Sequence, residues 1–133
     1  MFNQYPAYLY ILRTTNKKGR TIWKIGITTR SPAERLAEIT ADGRRHNDPT
    51  QHAQIYCVFW LTDAAKVERR LHQHYNRLQH KGLKGSGKTE WFEVSYPLYA
   101  VVMLWRWWLL DWLMRGVLAV AVVGIIYLLL SNL

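Results

Sequence analysis

Tyr8-Leu9-Tyr10-Ile11-Leu12, a polar stretch from Thr14 to Thr21, and then Trp23-Lys24-Ile25-Gly26-Ile27-Thr28 decide how this chain folds. Both apolar runs are short and rich in aromatic and β-branched residues, as strands are. The stretch between them holds Asn16, Lys17, Lys18 and Gly19, residue types that turn a chain. The reading is a β-hairpin with strands over residues 8–13 and 22–28. Side chains alternate across a strand. Tyr8, Tyr10 and Leu12 therefore share one face, and Leu9 and Ile11 the other. In the second strand Lys24, Gly26 and Thr28 lie opposite to Trp23, Ile25 and Ile27. The apolar set should pack on helices, which leaves Lys24 and Gly26 on a more polar face where Tyr10 can meet Lys24. Gly26 removes a side chain where a backbone or ligand approaches closely.

Outward from the hairpin, Ser31-Pro32-Ala33-Glu34 has the form of a helix start, with Ser as cap, Pro at the first position and Glu closing a capping box. The helix carries Arg35, Leu36 and Ile39, and residues 42–50 read as a polar loop. A third strand is expected over 54–61, a second helix from Thr62-Asp63 to about Gln79, a basic loop over 82–87 and a last strand over 90–94. On the second helix Glu68, Leu71, His72 and Tyr75 follow i, i+3, i+4, i+7 spacing and form one stripe. The fold class is α+β: a small antiparallel sheet flanked by helices, followed by a C-terminal transmembrane helix.

The chain has 133 residues and a net charge of +9. Residues 1–96 hold 16 Lys and Arg against 8 Asp and Glu. A domain this small and this basic suits a polyanion such as nucleic acid, or an anionic membrane surface. The one cysteine, Cys57, excludes an internal disulfide and a thiolate-rich zinc site, and its apolar surroundings make it a buried small hydrophobe. The pairs His72/His74 and His46/His52 lack zinc-ligand spacing.

Composition changes at Pro97. Residues 98–115 are apolar and crowded with Trp, interrupted by Arg106 and Asp111, and residues 116–130 carry no charge. With its flanks this run approaches the ~20 residues that cross a bilayer. Trp favours the interface, and Arg106 and Arg115 precede the span with no cation after it. The division expected is therefore residues 1–96 as the working domain and 97–133 as an interfacial helix and transmembrane anchor, with residues 98–112 either lying in the interface or forming the entry to a tilted span. The positive-inside rule places the N-terminal domain in the cytoplasm, single-pass in the bacterial inner membrane. The Trp-rich helix can equally support homo-oligomers.

The string from Gly82 to Thr89 fits the letters G-x-x-x-x-G-K-T of a P-loop. That motif needs a strand before it and a helix after it. Here the order is reversed, so a basic loop gripping a phosphate backbone is the better reading.

Taken in chain order, Tyr10, Lys24-Ile25-Gly26, Arg35, Glu68-x-x-Leu71-His72 and Glu90-Trp91-Phe92 resemble the GIY-YIG endonuclease family. Lys24 in place of the second motif's tyrosine is similar to a branch frequent in phage proteins, and the resemblance covers roughly residues 5–95. It implies phosphodiester hydrolysis. Tyr10 is implied as the base toward water, Arg35 as the grip on the scissile phosphate, and Glu68 as the ligand of Mg²⁺ or Mn²⁺. A free tyrosine is a poor base at neutral pH, and a nearby cation, here Lys24, would favour the phenolate. Tyr8, Gly26 and His72 are secondary candidates, and Arg30, Lys84 and Lys88 are expected to contact DNA. The function expected is a membrane-anchored, metal-dependent DNA endonuclease. It would act on incoming phage DNA as superinfection exclusion, near phage DNA-injection machinery at the bilayer. The alternative is a catalytically silent module of the same fold that tethers DNA to the membrane.

Overall fold

In a computed structural model, which describes residues 5–84 and 90–133, the hairpin forms with longer strands than expected. β1 runs Ala7–Thr15 and β2 runs Thr21–Thr28, paired antiparallel so that Tyr10 faces Gly26 and Leu12 faces Lys24. After β2 come α1 (Pro32–His46), β3 (Gln54–Leu61), α2 (Ala64–Tyr75), β4 (Trp91–Glu93) and α3 (Leu98–Ser131). The four strands make one antiparallel sheet in the order β3-β1-β2-β4.

Several local expectations change. Ser31 precedes α1, but its side chain makes no cap bond; its carbonyl accepts from the Arg35 N–H instead. The loop expected over 42–50 is mostly helix. α1 continues to His46 and closes on Asn47 in the left-handed conformation, whose N–H reaches the carbonyls of Gly43 and Arg44. Gly43 permits this, because a Cβ there would strike Thr50 and the Gln51 backbone. A 3₁₀ turn, Pro49–His52, then follows. α2 ends at Tyr75 and passes into a 3₁₀ turn, Asn76–Leu78. Lys88 and the part of the P-loop-like string over 85–89 lie outside the described residues. Trp91–Glu93 beyond it is a strand, not the helix a P-loop requires.

Both faces of the sheet carry a packed core, while Val58 and Trp60 of β3 stay exposed beside Tyr10 and Tyr8. Leu9, Ile11, Trp23 and Ile25 pack with Val67, Leu71 and Tyr75 of α2 and with Ala100 and Leu104 of α3. Cys57 packs against this cluster, and burial pushes its thiol up to about 11. The other face was expected to be the polar one. It holds a second core of Tyr10, Leu12, Ile22, Ile39, Leu83 and Trp91, and Lys24 is fully buried within the fold. The reason is coverage: α1 and the Trp91 indole close over the end of the sheet that periodicity alone leaves open.

Residues 98–112 do not form a separate interfacial helix. α3 is one unbroken helix of 34 residues. Its first turns belong to the packed domain, with Ala100 and Leu104 fully buried and the Ala100 N–H donating to the Tyr75 hydroxyl at 3.1 Å. Phe59 meets Trp105 edge-on at 5.8 Å, and the Thr62 hydroxyl donates to Asp111 at 3.1 Å. Packing thus runs well past residue 96. Beyond Asp111 the helix is exposed and apolar, and it could cross a membrane by length and composition.

This sets a test of where the folding unit ends. A chain stopping at Arg115 should fold, whereas one stopping at Tyr96 strips cover from Val67, Leu71 and Phe59. Losing the buried Leu104 and its neighbours costs about 3 kcal/mol or more. At about 4–8 °C per kcal/mol, Tm by circular dichroism should fall by at least about 12 °C.

Candidate active site

Four elements bring the sequence-selected residues to one place. Tyr10 lies on β1, Lys24 on β2, Arg35 on α1 and Glu68 on α2, with Glu90 immediately before β4. Tyr10 feels Arg35, Glu68 and Glu90, and Lys24 feels Glu90, Arg35 and Glu68.

Gly26 has a steric role. A Cβ built there would stand 2.5 Å from the Tyr10 hydroxyl and 2.6 Å from its Cζ. The ring of Tyr10 therefore lies over its cross-strand partner, in space that only glycine leaves open. Gly26→Ala must displace the phenol or the strand. An overpacking cost of about 1–3 kcal/mol is expected in thermal melts. A shift of about 1 Å in the phenol should lower turnover by about 100-fold.

The cation beside the phenol is Arg35, not Lys24. Of the charges around it, the Arg35 guanidinium is the one that favours the charged form of the Tyr10 hydroxyl. Burial still dominates and holds the phenol above its ordinary value, with Arg35 pulling the other way. Lys24 pairs instead with the Glu90 carboxylate, its ammonium almost wholly buried. Burial lowers the Lys24 pKa, and Glu90 opposes that shift. Glu90, which opens the Glu90-Trp91-Phe92 motif at the sheet edge, thus supplies the carboxylate that the buried ammonium needs.

Glu68 and His72 use the open edge of β2. β4 pairs with Ile22, Trp23 and Lys24, and among the described residues the backbone from Ile25 onward has no strand partner on that side. His72 Nε2–H donates to the Ile25 carbonyl at 2.8 Å, and the Glu68 carboxylate is near enough to the Ile27 N–H for it to favour the charged form. One helical turn of α2 thus caps the strand edge. The His72 bond fixes Nε2 as the protonated nitrogen. Burial raises the Glu68 pKa; His72 and Lys24 oppose the shift, and Glu90 adds to it.

Arg35 has a second partner that the sequence reading missed. Glu38, one turn on, accepts from Arg35 at 2.8 Å and from Arg30 at 2.7 Å. The Arg35 hydrogen bond, then that from Arg30, hold its carboxyl below the usual range. Glu38 so gathers two arginines that can fork onto a phosphate. Tyr8 lies on the Tyr10 face, edge-on to Trp60 at 4.6 Å. Lys84 lies elsewhere, by a cavity at the hairpin tip.

Among the described residues no group of three or more His, Cys, Asp or Glu could hold a metal ion. The donor set is one half-buried carboxylate with a second, Glu90, nearby. This fits Mg²⁺, which commonly takes one or two carboxylates and completes its shell with substrate phosphate and water.

The T5orf172 domain family matches residues 7–109, and the chain belongs to it. The domain is phage-associated and related to GIY-YIG and HNH-like nuclease-type domains. The match ends within α3, past the helix turns that pack on the sheet. No curated protein and no solved structure matches the chain.

Proposed function

We propose that this T5orf172-domain chain is a GIY-YIG-type DNA endonuclease held at a membrane by the second half of α3. The observation that carries the reading is the convergence of Tyr10, Lys24, Arg35 and Glu68 from four separate elements. Family membership supports nuclease-like work on DNA, and the apolar helix supports anchoring.

The chemistry follows from the side chains. Arg35 stabilises the Tyr10 phenolate and readies it to take a proton from water. That water attacks phosphorus as the bond to the leaving oxygen breaks. Arg30 and Arg35, gathered by Glu38, receive the phosphoryl oxygens. Glu68 would hold Mg²⁺ or Mn²⁺ with the substrate phosphate, and the ion would stabilise charge on the phosphoryl and leaving oxygens. Lys24 and Glu90 form a brace, buried at its Lys24 end, that keeps β2 and β4 together beside the phenol.

The cytoplasmic face of the bacterial inner membrane is where such an anchor meets DNA entering the cell, so incoming phage DNA is the proposed substrate. The chain ending at Arg115 separates chemistry from location. It should keep plasmid cleavage in vitro and lose protection of cells against phage at equal protein level. Full protection without residues 116–133 would remove the membrane from the account.

A further inference from the structure

At the tip of the hairpin lies a cavity of about 530 Å³ that the proposed chemistry does not use. Its lining includes Lys17, Lys18, Lys81 and Lys84. It also includes acidic groups, and each of these is engaged in holding the frame. Glu93 binds Arg20 at 2.9 Å and lies 3.5 Å from His80. Asp48 accepts from the Thr50 N–H at 3.0 Å and the Lys84 N–H at 3.3 Å. The Asn16 carboxamide oxygen fixes the turn by accepting from the N–H groups of Lys18 and Arg20, both at 2.9 Å. Among the described residues no carboxylate pairs with the ammonium groups of Lys17, Lys18, Lys81 or Lys84, and all four side chains are exposed. The frame thus presents around one hollow four cations that pair with no carboxylate among the described residues, an arrangement whose charge suits phosphate groups.

The place of the hollow narrows the ligand. It lies at the C-terminal end of β1, whereas α3 leaves the domain beside Thr62, past the end of β3 that pairs with Ala7 at the start of β1. At about 3.3 Å per residue these ends are about 30 Å apart, so the hollow lies at the end of the sheet away from the anchor and its lipid headgroups. Tyr10 is six residues from Asn16, about 20 Å by the same measure, or about six base pairs of a duplex at 3.4 Å each.

We infer that this hollow is a second phosphodiester-backbone contact, gripping the nucleic acid about six base pairs from the bond being cut. The inference rests on the reading of nucleic acid as substrate. It adds a separate site, away from Tyr10 and Glu68, that sets affinity and the length of duplex required.

The test is fluorescence anisotropy of a labelled duplex with the full chain in detergent micelles, in EDTA so that binding is read without cleavage. Lys17→Gln/Lys18→Gln should weaken binding by about tenfold or more and lower the salt slope by about 2. A control of equal charge, Lys66→Gln/Arg70→Gln near Trp107, should change binding less than threefold. Equal affinity of wild type and the tip variant overturns the inference, as does an equal loss in the control, which would mean general charge. Displacement of the duplex by ATP, lost in the tip variant, would show a free-nucleotide site and overturns it as well. A wild type that binds but does not cleave would sink the nuclease reading and leave this contact standing.

Discussion

Glu68→Gln should abolish cleavage, by about 1,000-fold or more, while leaving the fold and DNA affinity close to wild type. The amide keeps the size and shape of the carboxylate, and the His72 bond to the Ile25 carbonyl is untouched, so the cap on the β2 edge survives. What disappears is the negative charge, and with it the hold on Mg²⁺ and the stabilisation of developing oxyanion charge, an electrostatic contribution that commonly reaches about 100- to 1,000-fold. Thermal melts and duplex binding are the controls. A collapse of Tm would mean that Glu68 matters only as an edge cap, whereas retained cleavage would remove it from the chemistry.

Tyr10→Phe should cost about 100- to 10,000-fold in turnover, the usual range for a lost general base. Phenylalanine keeps the ring that fills the space above Gly26, so packing is preserved. The pH profile separates a base from a binding group. Burial holds the Tyr10 pKa above its ordinary value despite Arg35, so the phenol is protonated across the neutral range. Below that pKa the phenolate fraction grows tenfold per pH unit. The logarithm of the wild-type rate should therefore climb with a slope of about 1 from neutral pH upward. The small residual rate of Tyr10→Phe should lack that slope. A wild-type profile flat above pH 7 would exclude the phenolate as base.

The fold and the site were legible to different depths. The hairpin, the third strand and the α2 stripe follow from period and composition, because each buries one apolar face. Tyr10, Arg35 and Glu68 stand in one place because β1 pairs with β2, α2 packs on β2, and α1 lies over the face of the sheet that carries Tyr10. What sequence alone misjudged has tertiary causes. Lys24 was placed on a polar face, but α1 and Trp91 bury it and turn it toward Glu90. The cation that acts on the Tyr10 phenol is Arg35, which comes from another element, and alternation within the hairpin cannot show that. The role of Gly26 needed the register, which sets it opposite Tyr10. The tail looked separable at Pro97 because hydropathy changes there. Hydropathy does not distinguish a surface that faces lipid from one that faces Val67 and Leu71, and the first turns of α3 belong to the latter kind.

The central claim is phosphodiester hydrolysis at the Tyr10–Arg35–Glu68 constellation. Its most direct measurement is conversion of supercoiled plasmid to nicked or linear DNA by the purified full chain in detergent, in Mg²⁺ and in EDTA, beside Glu68→Gln. The account predicts cleavage by the wild type in Mg²⁺, none in EDTA and none by Glu68→Gln in either. Binding of the plasmid without cleavage in Mg²⁺ or Mn²⁺, or cleavage equal in wild type and Glu68→Gln, would contradict it.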